Sequence, residues 1–301
     1  MKADAEPIAG SKIGVFGRGG AGKSTFVVLL AGALRRAGYD VCVLDADSTN
    51  VGLHRALGAE RAPAPLIEHL GGMIFAGGRV TCPVDDPTPL VPRRVDLADL
   101  ADRFRVEVAP GVFLLAVGKL ADAGAGCDGP LVKIARDVRF RTGDQPTVTV
   151  VDFKAGFEDS ARGVVTGIDW AFVVVDPTRT SIEFAAHMQG MAATLRSGRP
   201  PSTAHLESPE LVAIANRLFQ ESALKGVLVV LNKVRDERME KYLQDELASR
   251  GITPLGVVPD DPQIPTAWLQ GAALETHPTE RIVGRIVDCL EAEAAGTTAQ
   301  D

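Results

Sequence analysis

The run Gly17-Arg18-Gly19-Gly20-Ala21-Gly22-Lys23-Ser24-Thr25 follows the pattern G-x-x-x-x-G-K-S/T. Residues of these types at this spacing suit the holding of a polyphosphate. Such a ligand carries several negative charges and many acceptor oxygens, so backbone N–H groups must come close to it. Gly17, Gly19, Gly20 and Gly22, with the small Ala21, permit that approach. Lys23 would reach the β- and γ-phosphates, the Ser24 hydroxyl would ligate Mg²⁺, and Thr25 continues into a helix whose positive dipole end faces the ligand.

The elements that must position this loop are legible on both sides of it. Lys12-Ile13-Gly14-Val15-Phe16 reads as a short buried strand leading in. Ser24 to Ala37 reads as a helix leading out, with Phe26, Leu29, Leu30 and Leu34 apolar and Gly38 beyond its end. Further short runs rich in β-branched residues follow: Val41 to Leu44, Phe113 to Val117, Val148 to Val151, Ala171 to Val175, Val227 to Leu231 and Leu255 to Val258. Such runs, with helical stretches between them, predict a mainly parallel sheet of about seven strands with helices on both faces. The expected fold is therefore α/β, a single domain over residues 12–293, with flexible tails at 1–11 and 294–301. Residues 58–110, rich in proline, read as an irregular segment holding only short helices.

Polar residues close most of these runs, where a doubly covered sheet places its ligands. Asp47 follows the second strand. It would either orient the water that attacks a γ-phosphate or cap the helix beginning near Val51. Asp45 reads as a structural partner to it. Asp152, directly after Val148-Thr149-Val150-Val151, is placed to hold Mg²⁺. Asn232 could present its amide to adenine, with Pro259 and Asp260 beside the base; Asn and Pro-Asp equally favour turns. Cys127, in Ala-Gly-Ala-Gly-Cys-Asp-Gly-Pro, is either an idle thiol or a soft metal ligand that would pair with its copy at a dimer axis, Asp128 completing the shell. The five histidines show no ligand spacing.

Composition narrows the classes further. The chain has 301 residues, 46% hydrophobic and 24% charged, as ordinary globular proteins have. A net charge of −7 and 5% aromatic residues argue against a nucleic-acid partner. No apolar run is long enough to span a bilayer, and Met1 to Gly10 lacks the basic start and apolar core of a signal peptide, so a cytoplasmic location is expected. The four cysteines are scattered and expected to be reduced.

With the loop, Asp47, Asp152 and Asn232 in hand, the sequence resembles the deviant Walker A P-loop ATPases, a group including the nitrogenase iron protein and the cell-division and plasmid-partition ATPases. Their signature lysine, which reaches across a dimer to the partner's nucleotide, corresponds here to Arg18, which keeps the charge with a different geometry. Within that group the chain is most similar to the nickel-insertion ATPases that mature carbon monoxide dehydrogenase. The likeness runs from Lys12 to Leu274 and rests on Val43-Leu44-Asp45-Ala46-Asp47, Val117-Gly118-Lys119, Ala123-Gly124-Ala125-Gly126-Cys127, Val151 to Glu158 and Gly256 to Pro262 with Ala267-Trp268-Leu269. The resemblance implies ATP and Mg²⁺ as cofactors, catalytic roles for Arg18, Lys23 and Asp47, a homodimer formed on ATP binding, and a client metalloenzyme served with nickel or zinc. It also brings a departure: members carry Cys-x-Cys, whereas Gly129 stands at the second position here. Lys154, beside the Asp152 strand end, is either a second cation near the γ-phosphate or a solvated side chain. The alternative is a positioning ATPase that localises a cargo. Its membrane-bound members end in a basic amphipathic helix, whereas Asp288, Glu291 and Glu293 make this end acidic. An iron–sulfur donor would need a thiolate where Phe153-Lys154-Ala155-Gly156 stands.

Overall fold

Strand β1 (Lys12–Gly17) is buried along its whole length, so both its faces must be covered and both its edges paired. It lies mid-sheet between β5 (Val148–Asp152) and β6 (Trp170–Val175), parallel to each. A computed structural model describes residues 7–120, 126–143, 147–274 and 279–298. With β2 (Val41–Asp45), β3 (Val106–Ala109), β4 (Val112–Ala116), β7 (Gly226–Val234) and β8 (Pro254–Pro259), the sheet has eight strands in the order β8-β7-β6-β1-β5-β2-β4-β3. All neighbours are parallel except β3 and β4, which form an antiparallel hairpin.

That hairpin supplies the strand beyond the seven expected. Strand β3 lies at the edge with its residues half-buried apart from exposed Glu107, which interrupts the apolar run that the inner strands have. A separate two-stranded parallel pairing joins Arg94–Asp96, inside the stretch read as irregular, to Arg139–Arg141.

Helices cover both faces. On one, α1 (Lys23–Ala37) packs beside the last helix, here α7 (Thr279–Thr298), through Leu30, Leu34, Val283, Val287 and Leu290. On the other lie α2 (Gly129–Asp137), α3 (Arg179–Arg196) and α5 (Glu237–Ala248), contributing Ile134, Met188 and Leu247; α4 (Pro209–Gln220) flanks them and α6 (Gln263–Gln270) sits after β8. At both ends the packed structure reaches closer to the terminus than expected. Ile8 is fully buried against the α1 face, and α7 continues through buried Ala294 to Thr298. The apolar side chains at these two positions make the difference.

Lys12 opens β1 with its ammonium inside the protein, donating to the carbonyls of Arg136 (3.2 Å) and Val138 (2.7 Å). Burial lowers its pKa to about 7, with Arg139 adding to the effect and Asp137, Asp169 and Cys42 opposing it. Between that value and 10.5 the unfolded chain holds a proton that the folded chain lacks, so Lys12 makes stability rise with pH over that window. In Lys12→Met the slope should flatten by up to about 1.4 kcal/mol per pH unit. Urea unfolding midpoints of parent and variant, compared at mildly and strongly alkaline pH, should diverge in favour of the parent; parallel behaviour would count against a neutral buried Lys12.

Candidate active site

The parallel strands bring the C-terminal ends of β1, β2, β5 and β7 to one edge, and register does the rest. Asp45 and Asp152 are directly paired across β2 and β5, and Val15 pairs with Asp152 across β1 and β5. The glycine loop leaves β1 at this edge and enters α1 at Lys23, with Gly22 as the N-terminal cap residue. Gly22 has φ 96°, and a methyl group there would come within 2.3 Å of Asn232 Nδ2, so both conformation and space demand glycine.

Ser24 Oγ donates to Asp152 Oδ2 at 2.7 Å and accepts from Asn50 Nδ2 at 2.9 Å. Asp152 is fully buried, and its Oδ1 has no hydrogen-bond partner among the described residues. Burial, reinforced by Asp45, pushes its pKa up to about 7 against the pull of Ser24 and Lys23. A buried carboxylate oxygen without a donor marks a place where a cation restores the balance. A hard divalent ion such as Mg²⁺ takes carboxylate and hydroxyl oxygens, so the residues present fit that ion. Lys23 is buried beside them, its Nζ donating to the Arg18 carbonyl at 3.4 Å. Burial holds its pKa below the usual lysine range, while Asp152 and Asp47 pull the other way. Polyphosphate oxygens are the partners such an ammonium suits.

Asp47 lies at the same edge, nearly buried. Its Oδ1 accepts from Thr49 N (2.9 Å), Thr49 Oγ1 (2.6 Å) and Asn50 N (3.2 Å), closing a turn over residues 47–50. The helix-capping role read from sequence is not what these contacts perform: they close a turn through one carboxylate oxygen, and the following helix begins only at Leu53, with Gly52 before it and no side-chain cap. Asp45 is a structural partner, as expected: Lys119 Nζ donates to both its oxygens at 2.8 Å and to the Asp47 carbonyl at 2.6 Å. Burial nevertheless raises the Asp45 pKa to about 6.

Asn232 reaches the loop, its Nδ2 donating to the Ala21 carbonyl at 2.7 Å. This strut uses one of the amide's donors. Pro259 and Asp260 end β8 in exposed positions, Asp260 pairing with Arg235 at 3.2 Å. Arg18, Gly19 and Gly20 are exposed at the loop tip, whereas Gly17 and Ala21 are buried. Thr25 Oγ1 accepts from Trp268 Nε1 at 2.9 Å, fastening α6 to the start of α1.

Cys127 is exposed beside the N-terminus of α2; residues 121–125, part of the stretch linked to it by resemblance, lie outside the described residues. Asp128 does not fit the ligand role expected of it. Its carboxylate is buried and accepts from Ser48 Oγ (3.1 Å), Lys154 Nζ (3.0 Å) and Arg162. Burial works against its charge, yet the hydrogen bonds from Lys154 and Arg162 hold its pKa below the ordinary carboxylate range. Lys154 is accordingly neither a solvated side chain nor a cation aimed at a phosphate: it pairs with Asp128 and, at 3.6 Å, with Glu158.

Sequence reasoning missed four contributors. Lys119 follows a strand end and could have been found by the same rule as Asp47. Asn50 hides among turn formers, and Trp268 carries no local signal. Lys233 has φ 60° and donates from Nζ to the Gly20 carbonyl at 2.7 Å, which only the folded chain reveals.

Residues 15–274 match the CobQ/CobB/MinD/ParA nucleotide binding domain. The chain belongs to this family. It is a P-loop ATPase of the MinD/ParA type, in keeping with the resemblance read from its motifs. It is 35% identical over 189 residues to the carbon monoxide dehydrogenase accessory protein CooC of Rhodospirillum rubrum, covering 61% of this chain and 70% of that one. It is also 28% identical over 271 residues to an uncharacterized ATP-binding protein of Methanocaldococcus jannaschii, covering 89% and 96%. Among solved structures, MinD in the MinC:MinD cell division complex of Aquifex aeolicus aligns with TM-score 0.60 at 18% identity, covering 94% of this chain and 96% of that one. The septum site-determining protein MinD of Pyrococcus horikoshii OT3, complexed with Mg-ADP, aligns with TM-score 0.56 at 17% identity, covering 95% and 98%. These last two likenesses concern the fold.

Lys23→Ala should abolish tight ATP binding while the fold survives; an unchanged affinity for a fluorescent ATP analogue would contradict the loop assignment. Lys119→Met should lower turnover by about 10²-fold with little change in KM, because the Asp47 backbone loses the contact that positions it. Steady-state kinetics showing a rise in KM alone would instead assign Lys119 to substrate binding.

Proposed function

We propose that this protein is a Mg²⁺-dependent ATPase that closes into a homodimer on binding ATP and acts in the cytoplasm as a maturation or metal-insertion accessory factor for a metalloenzyme, with nickel or zinc as cargo. In this reading the loop from Gly17 to Thr25 holds the phosphates, Ser24 and Asp152 hold Mg²⁺, and Asp47 orients the attacking water through the carboxylate oxygen its turn does not use. Arg18, exposed at the loop tip, would reach the nucleotide of the second copy. Asn232, Pro259 and Asp260 would border the base, the asparagine with the amide groups left over from its strut to Ala21.

The observation that carries the cargo half of this reading is the setting of Asp128. Its buried carboxylate ties the exposed Cys127 loop to Ser48, next to Asp47, and to Lys154, two residues past Asp152. A change at the nucleotide edge therefore meets the cysteine loop through two charge-assisted hydrogen bonds. Likeness to CooC, named as an accessory protein of carbon monoxide dehydrogenase, supports the same direction. Among the described residues no helix is long and apolar enough to cross a membrane.

Asp47→Asn should retain ATP binding, lose about 10²–10⁴-fold in hydrolysis and accumulate as a dimer with ATP and Mg²⁺. Light scattering that finds a monomer at saturating ATP would remove the dimer switch. Metal analysis completes the test: Cys127→Ser should lose bound nickel or zinc and keep basal ATPase activity. A parent protein free of metal in every nucleotide state would transfer the assignment to a positioning ATPase.

A further inference from the structure

Cys82 lies far from Cys127 in the chain, and nothing in their spacing connects them. The fold does. A methyl group placed on Gly129, the first residue of α2, would lie 2.6 Å from Cys82 Sγ and 3.0 Å from its Cβ. The Cys82 sulfur therefore rests against the helix start that Cys127 precedes, and a larger residue at 129 would displace it.

Both cysteines are held on the same scaffold. The turn after Cys82 is closed by Asp86 N donating to the Cys82 carbonyl at 2.9 Å and by Thr81 Oγ1 donating to Asp86 Oδ2 at 2.8 Å. Lys133, buried on α2, donates to the Asp86 carbonyl at 2.8 Å, to Asp86 Oδ2 at 3.3 Å and to the Thr81 hydroxyl. Cys127 is fixed from the other side, since its neighbour Asp128 is anchored by Ser48, Lys154 and Arg162. Cys82 is partly buried and Cys127 exposed, so the pair opens to solvent on one side. The N-terminal end of α2 adds a positive potential that favours thiolates.

We propose that Cys82 and Cys127 of one chain form a dithiolate site for a soft or borderline cation of the zinc and nickel class. The inference rests on the metal-handling reading above for its purpose, and names the second sulfur that reading lacks. Among the described residues no group of three or more His, Cys, Asp or Glu side chains stands together, so one chain leaves a tetrahedral ion unsaturated. The remaining positions would be filled by water, by the same two thiolates of a second copy, or by a client's ligands, which suits a carrier that must release its ion.

The test uses the full chain, reduced and free of oxygen, with and without ATP and Mg²⁺. Co²⁺ reports sulfur ligation through its thiolate charge-transfer band, and Zn²⁺ competition gives affinity. Cys82→Ser and Cys127→Ser should each lose at least half the band and weaken Zn²⁺ at least about ten-fold. Cys289→Ser, which alters another exposed thiol, should do neither. Cys82→Ser that keeps the parent's band and affinity while Cys127→Ser loses them would overturn the pair and leave a metal site at Cys127 standing. A parent without any band in either nucleotide state would overturn the pair and the metal-handling reading together. Phenylarsine oxide, which bridges neighbouring thiols, settles the geometry on the parent chain should Cys82→Ser fold poorly. Peptide mapping should find one arsenic joining Cys82 to Cys127, and arsenic joining neither pair member to the other would overturn the proposal.

Discussion

Asp152 is a carboxylate that the sheet encloses completely, one oxygen answered by Ser24 and the other unanswered by any hydrogen bond among the described residues. Much of the surrounding structure exists to make that tolerable. Strand β5 carries it to the edge, register sets Asp45 beside it, and burial raises both pKa values. The countercharges arrive from elsewhere in the chain: Lys23 from the loop and Lys119 from beyond β4. Leaving a buried charge unpaired costs several kcal/mol, roughly the effect of losing a partner from a buried ion pair. Under the proposed function, a cation bound at this strand end would offset that cost. The Ser24–Asp152 hydrogen bond also joins the start of α1 to β5, so the glycine loop and the Asp152 carboxylate share one rigid junction.

How much of this was legible follows from how local each signal is. The glycine loop, β1 and α1 could be read because the conformational demand of glycine, a short apolar strand and a helical period are all consecutive in sequence. Asp47 and Asp152 could be placed at the edge of the sheet because inner parallel strands announce themselves as apolar runs and then stop. The edge strand β3 escaped for the opposite reason: none of its four residues is fully buried and Glu107 is exposed among them, so it has no apolar run to announce. Ile8 and Ala294 were assigned to tails because their burial depends on α1 and α7 meeting.

The ionic roles were harder still. Lys154 and Asp128 were each given a separate reading, phosphate or solvent for one and metal for the other, although they answer each other. A charge pair between residues this far apart in the chain leaves no trace in periodicity. The same holds for Lys233, whose left-handed backbone lets a lysine following Asn232 reach the Gly20 carbonyl. Both residues after the β7 core thus brace the loop, and a base contact by Asn232 has to coexist with that duty.

The position of Asp128 decides how tightly the two halves of the proposed function can be coupled. As the residue before α2 it could have capped that helix, yet its side chain makes no capping hydrogen bond and turns to Ser48, Lys154 and Arg162 instead. The helix thereby forgoes a contribution of about 1 kcal/mol. What it gains is a carboxylate shared between the turn that begins at Asp47, the segment that follows Asp152 and the loop that presents Cys127. A buried carboxylate with two cationic partners resists partial rearrangement, because withdrawing one donor exposes an uncompensated charge. Under the proposed function, the cysteine loop would therefore follow the nucleotide edge between discrete arrangements rather than drift independently. Tight coupling of this kind asks only that ATP and its products favour different positions of the turn over residues 47–50, and that turn lies beside the loop built to hold the phosphates.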